Sequence, residues 1–225
     1  MNKLLSFVRL DFITVKPYFT VKNLLVYAVV AVFLTTMSGN VSSGMSVGIM
    51  IGTLFVSYPF AIGEKSNMDA LYATLSLSRK TVVAGRYLFT LALNLCAVLF
   101  SIVLAIIGTF VSRVFGLKIG TGEILLAGIL LAALFIVIQA IQLPFFFKLG
   151  YTKAKFFSMV PFVAIMSGYL VFMAAAKNSG VVNQAENVLK NMASGMLAGL
   201  AASVLFLVCF LSYGLSLSFY KKREF

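Results

Sequence analysis

Of 225 residues, 61% are hydrophobic and only 11% are charged, and mean hydropathy is +1.05. That is too little polar surface to cover a soluble globule, so the chain reads as an all-α integral membrane protein built as a single transmembrane domain over residues 1–225. Eighteen Lys and Arg against six Asp and Glu give a net charge of +12; the charges fall between apolar runs rather than on one polar face, which argues against nucleic acid as a partner.

Residues 1–22 come first. Lys3, Ser6 and Arg9 recur on one side of a helical projection, with Leu4, Phe7, Val8 and Leu10 opposite, until Pro17 ends the pattern. Such a helix is expected to lie in the membrane interface, against lipid headgroups. The same run, interrupted by Arg9, Asp11, Lys16 and Pro17, does not form a cleavable signal peptide. Six apolar stretches then follow, each near the ~17–25 residues needed to cross a bilayer core: 24–38, 44–63, 87–112, 124–147, 157–176 and 195–220. The first is short, and Val21 to Asn23 can extend it. Pro59, Pro144 and Pro161 stand inside these runs and are expected to kink them.

Between the second and third spans lies a charged segment, 64–86. Ser66 and Asp69 have capping-box spacing, and Met68, Leu71, Tyr72 and Leu75 follow at i, i+3, i+4, i+7, the mark of a short amphipathic helix. A second amphipathic stretch falls between the fifth and sixth spans: Asn183 and Glu186 are spaced as a cap, and Ala185, Val188, Leu189 and Met192 share a face. If both termini are cytoplasmic, fourteen of the eighteen basic residues lie inside and four outside, so basic-residue retention predicts that orientation.

No histidine occurs, which removes Ser/His/Asp and Cys/His catalysis and histidine metal sites. Cys96 and Cys209 lie singly in apolar runs and read as small buried hydrophobes. The acidic residues sit at span edges or in loops, so paired intramembrane carboxylates for ion-driven transport are lacking. Gly63 to Ser66 reads GEKS, which is not the GK[ST] end of a phosphate-binding loop. Within the spans, Gly44, Gly48 and Gly52 form consecutive GxxxG steps, and Asn94, Gln139 and Gln142 are amides near membrane depth. Close helix packing and interhelical hydrogen bonds are the expected roles, with the lining of a translocation path as the alternative.

The order assembled above, an interfacial helix, two spans, a charged cytoplasmic helix, three spans, an external amphipathic helix and a last span, resembles the membrane subunit of a type-2 ABC transporter. This is the class of bacterial exporters whose permease and ATPase are often separate chains. The local match is Glu64 near the end of the second span, then LYATLSLSRKTVVAGRYL from Leu71 to Leu88. It is similar to the family's short helix, Leu-Pro-x-Ser-Arg-like turn, and basic residue plus Tyr opening the third span. The turn here, Leu75 to Lys80, lacks the proline.

The resemblance implies that 64–86 is a coupling helix seated in a groove of an ABC ATPase. Met68, Leu71, Tyr72 and Leu75 would be its apolar anchor, and Glu64, Lys65, Asp69, Arg79, Lys80 and Arg86 its polar surround. It further implies two ATPase copies, a second permease copy or homologue, and a location in the bacterial cytoplasmic membrane. No cofactor is expected on this chain, with ATP and magnesium held by the partner. The nearly uncharged spans suit export of hydrophobic or amphipathic cargo such as a peptide, lipid or drug. A non-transporting scaffold or immunity protein, whose amphipathic helix only lies on headgroups, is the alternative reading.

Overall fold

The computed structural model describes residues 3–74, 77–116, 124–179 and 194–222; side chains at 69–70, 73, 158–159, 161–162, 165–166, 169–179 and 194–198 fall outside that description. All regular elements among the described residues are helical: α1 (Lys3–Val15), a 3-10 turn (Lys16–Tyr18), α2 (Val21–Ser38), α3 (Val41–Lys65), α4 (Met68–Thr74), α5 (Arg79–Val114), α6 (Ile124–Ser179) and α7 (Ser194–Lys221).

Local chemistry sets most of the boundaries. Thr20 caps α2 by accepting the Asn23 N–H, and Gly39 ends that helix in the left-handed region at φ 65°. Asn40 caps α3 through the Ser42 N–H at 2.9 Å, so two residues suffice to reverse the chain. Val21 to Asn23 do extend the first span. Ser78 caps α5, accepting the Thr81 N–H at 3.1 Å. At 36 residues, α5 is about 54 Å long against a bilayer core of about 30 Å, so it projects beyond the membrane.

The helical backbone runs on through Pro59 and Pro144; the sharp break comes at Gly150, with φ 73° and ψ 173°. Such a conformation is essentially restricted to glycine. It divides α6 into two legs. Five helical segments among the described residues are long and apolar enough to cross a membrane: Val21–Ser38, Val41–Lys65, Arg79–Val114, Ile124–Phe157 and Gly199–Lys221. The stretch expected as the fifth of six spans, 157–176, runs in the second leg of α6, where many side chains lie outside the described residues. The expected external helix at 183–192 also lies outside them.

Helix α3 is central, packing on α2, α5 and α6, while α1 lies across α5 and α3 and α7 packs on α6 and α5. A methyl at Gly52 would stand 2.6 Å from Ala97 Cβ and one at Gly48 would run into Ser101, so these glycines are where α3 and α5 touch. Gly44 meets α2 in the same way, at Thr35 and the Ala31 carbonyl. Deeper still, Gln139 of α6 donates to Asn94 Oδ1 at 2.9 Å and to Thr53 Oγ1 at 3.2 Å, and Asn94 donates back to Gln139 Oε1. This buried knot satisfies two amides that hydrocarbon would leave unpaired. Gln142, one turn on, is also buried.

Candidate functional site

The charged segment between α3 and α5 folds onto one end of the bundle, beside α1. Ser66 closes α3, its N–H bonding to the Ile62 carbonyl at 2.9 Å, and Asn67 turns the chain in the left-handed region at φ 48° before α4 begins at Met68. Ser66 therefore serves the preceding helix rather than opening a capping box; the Asp69 side chain lies outside the described residues. Leu75 lies outside them as well.

The apolar face expected from the spacing is divided between two directions. Tyr72 is 4% exposed and packs edge-on against Phe7 of α1 with ring centroids 5.1 Å apart. Met68 packs on the same cluster, which includes Val82, Val83, Phe147 and Tyr220. Leu71 points away and is 45% exposed, and Lys65 and Lys80 are exposed beside it in sequence. One side of α4 is thus a root in the bundle and the other is open.

Three charges expected on the surround of an interface are engaged within the chain. Glu64 Oε2 accepts the Thr152 N–H at 3.0 Å, capping the second leg of α6 just past the Gly150 break. Arg79 donates through Nη1 to the carbonyls of Tyr220, at 3.3 Å, and Lys221, satisfying groups that the end of α7 leaves open. Arg86 is 4% exposed and pairs with Asp11 of α1, Nη1 to Oδ1 at 3.1 Å. Its guanidinium also sits over Phe60, 4.7 Å from the centroid, and Phe7, at 5.6 Å, with Nη2 3.5 Å from the Tyr72 hydroxyl.

Asp11 is the partner that spacing arguments passed over as a mere interruption of an apolar run. It is 1% exposed and shares a buried face with Phe7 and Val15, at i, i+4 and i+8. An acid flanked on its own helical face by apolar residues was the available signal. Its oxygens face Arg86 off the line of a hydrogen bond and find no other donor among the described residues. Burial pushes its carboxyl up from 3.8 to about 6, and Arg86 opposes that shift only in part. Gly85 admits α1: a methyl there would run into the Phe7 ring.

A polar seam continues along α5 to the last helix. The Tyr87 hydroxyl lies 2.8 Å from Ser216 Oγ and also meets Ser212, which donates to the Ala140 carbonyl. Thus α1, α3, α4, α5, α6 and α7 are all tied, directly or through one neighbour, to the segment 64–87.

The model of a family described as ABC-2 family transporter protein matches residues 6–221, from α1 through α7. The chain belongs to the ABC-2 transporter family. No curated protein and no solved structure matches it. As an ABC-2 permease it is a multi-pass transmembrane transporter subunit, of a family that works with an ABC ATPase.

Proposed function

We propose that this permease is the membrane half of an ATP-driven exporter, with 64–87 coupling it to a separate ATPase in the bacterial cytoplasm. Two permeases, identical or paired with a homologue, would flank the path and two ATPases would bind and hydrolyse ATP with magnesium. Both termini and α4 would face the cytoplasm, in line with the distribution of basic residues. The nearly uncharged spans fit hydrophobic or amphipathic cargo such as a peptide, lipid or drug.

The observation that carries this reading is the two-sided α4, rooted by Tyr72 and open at Leu71. Tilting a helix so rooted displaces Phe7 and Arg86, and with them α1 and α5, whereas a helix merely resting on headgroups needs no such root. With Glu64, Arg79 and Arg86 engaged internally, the exposed charges among the described side chains of the segment are Lys65 and Lys80. A groove with an apolar slot for Leu71 and acidic groups to meet these two lysines would suit α4.

The test is co-purification with the ATPase and cargo-stimulated ATP hydrolysis for Leu71→Asp, Lys80→Glu and, as a lipid-facing control, Leu95→Ala. Leu71→Asp is expected to cost about 2 kcal/mol of assembly, roughly thirty-fold in affinity, with Lys80→Glu smaller and the control unchanged. Wild-type assembly and hydrolysis in all three would remove the coupling assignment, and failure of any ATPase to co-purify with the wild type would favour the scaffold reading.

A further inference from the structure

A cavity of about 380 Å³ opens between α2, α3 and α5, on the half of the bundle that carries α1. Its wall is hydrocarbon and aromatic, including Phe12, Leu24, Ile51 and Phe55, together with Gly52 and with Cys96, which is exposed rather than buried as its apolar surroundings suggest, and no charged residue lines it. The volume falls in the roughly 300–1,000 Å³ range of small-molecule sites. Nothing in the proposed coupling uses this space. Left empty, its lining would forgo the dispersion contacts that a packed chain supplies.

The mouth has a different chemistry. Phe19, 41% exposed, both lines the cavity and stacks on Phe55 at 4.4 Å, and next to it Tyr18 stacks on Tyr58 at 4.4 Å. Such an aromatic rim belongs at the level of lipid headgroups. Lys16 and Lys22 bracket Phe19 in sequence, and both are exposed with no ion pair among the described residues. Lys22 stands in the first turn of α2, where the helix dipole itself favours an anion. The apolar wall thus has an aromatic edge at Phe19, and an exposed cation stands three residues to either side of that edge in the chain.

We propose that this cavity binds one anionic phospholipid, with an acyl chain between α2, α3 and α5 and the phosphate held by Lys16 and Lys22. The lipid enters sideways from the leaflet on the α1 side. Its chain packs against Phe12, so it props the interfacial helix that also carries Asp11. Zwitterionic lipid fits the same space but gains less from the lysines, so headgroup charge sets the preference.

The experiment uses the full chain in phosphatidylcholine vesicles doped with a phospholipid bearing a diazirine on one acyl chain, and either a phosphatidylglycerol or a phosphatidylcholine headgroup. Crosslinked peptides are mapped by mass spectrometry. The phosphatidylglycerol probe is expected to label the cavity-lining Ile51, Phe55, Leu93 and Ala97 and to exceed its neutral counterpart there. Lys16→Gln and Lys22→Gln should each lower that labelling about five-fold, the ratio that corresponds to ~1 kcal/mol per basic residue near an anionic surface. Leu24→Trp fills the cavity and keeps both lysines; it should abolish labelling at these four residues with either probe while leaving the lipid-facing Leu95, Phe206 and Phe210 labelled as before. Equal labelling by the two headgroups at Ile51, Phe55, Leu93 and Ala97 would overturn the proposal, as would labelling of these residues that survives Leu24→Trp.

Discussion

Removing either member of a buried ion pair ordinarily strands a charge, but here the two members are not equivalent. Among the described residues Asp11 rests on Arg86 alone, whereas Arg86 also has the faces of Phe60 and Phe7 and the Tyr72 hydroxyl. The carboxyl's rise from 3.8 to about 6 means that its ionised form is held against a cost of ~3 kcal/mol at neutral pH. In Arg86→Met that carboxylate escapes by taking a proton, and keeping it neutral at pH 7 costs ~4 kcal/mol, about 1 more than before. Lost cation–π contacts add about 1–2 kcal/mol, so Arg86→Met should destabilise by about 2–3 kcal/mol. Asp11→Asn removes the cost at its source; stability should stay level or rise by as much as ~3 kcal/mol. Adding Asp11→Asn to Arg86→Met should recover most of the loss. The chain has no tryptophan, so thermal melting followed by far-UV circular dichroism in detergent is the suitable assay. Because the folded value exceeds the unfolded one, Asp11's stabilisation is complete below 3.8 and is lost as pH rises through 6. Wild type should therefore melt higher near pH 5 than near pH 7, and Asp11→Asn should lack that difference. Equal losses for Asp11→Asn and Arg86→Met, with no recovery in the double variant, would refute this account.

Three other expectations rest on single contacts. Gly52→Ala places a methyl 2.6 Å from Ala97 Cβ and should cost about 1–3 kcal/mol of thermal stability, with Ala97→Gly restoring most of it. Glu64→Gln weakens the cap on the second leg of α6; hydrogen exchange at the Thr152 amide should quicken by the equivalent of about 1 kcal/mol, with α3 itself unaffected. Asn94→Leu leaves Gln139 Oε1 without its donor, though its nitrogen keeps Thr53, and should cost about 1–2 kcal/mol in melting experiments, whereas Asn94→Leu with Gln139→Leu should recover, since no amide is then left unpaired.

Properties that depend on one segment at a time were legible in the sequence. Apolar run length located α2, α3, the first leg of α6 and α7, but not the start of α5, which begins at Arg79 behind its Ser78 cap, well before the apolar run expected from 87. The amides of Asn94 and Gln139 were legible for the same reason, since hydrocarbon leaves a polar group no choice but a protein partner. What could not be read was which partner. Proline is the residue that usually kinks a helix, yet α6 breaks at Gly150, where the Glu64 carboxylate from another helix is placed to cap the new start. Helical spacing grouped Leu71 with Tyr72 and Met68, but adjacent residues on a helix lie about 100° apart, and only the position of α1 decides which of them is covered.

The inward turn of Glu64, Arg79 and Arg86 bears on how a load on α4 would travel. A seven-residue helix has little stiffness of its own. The segment is instead pinned at three points to three other helices: Glu64 to the second leg of α6, Arg79 to the end of α7, and Arg86 through Asp11 to α1. The hydrogen-bonded contacts of Glu64 and Arg79 hold direction as well as distance, because a helix end fixes their partners, whereas Arg86 is oriented by the Phe60 and Phe7 faces. Apolar packing alone would let α4 slide. If α4 is a lever, its charges are the pins and its exposed Leu71 the handle: substitutions at the pins should alter transport without loosening ATPase binding, whereas Leu71→Asp should loosen ATPase binding and lose transport with it.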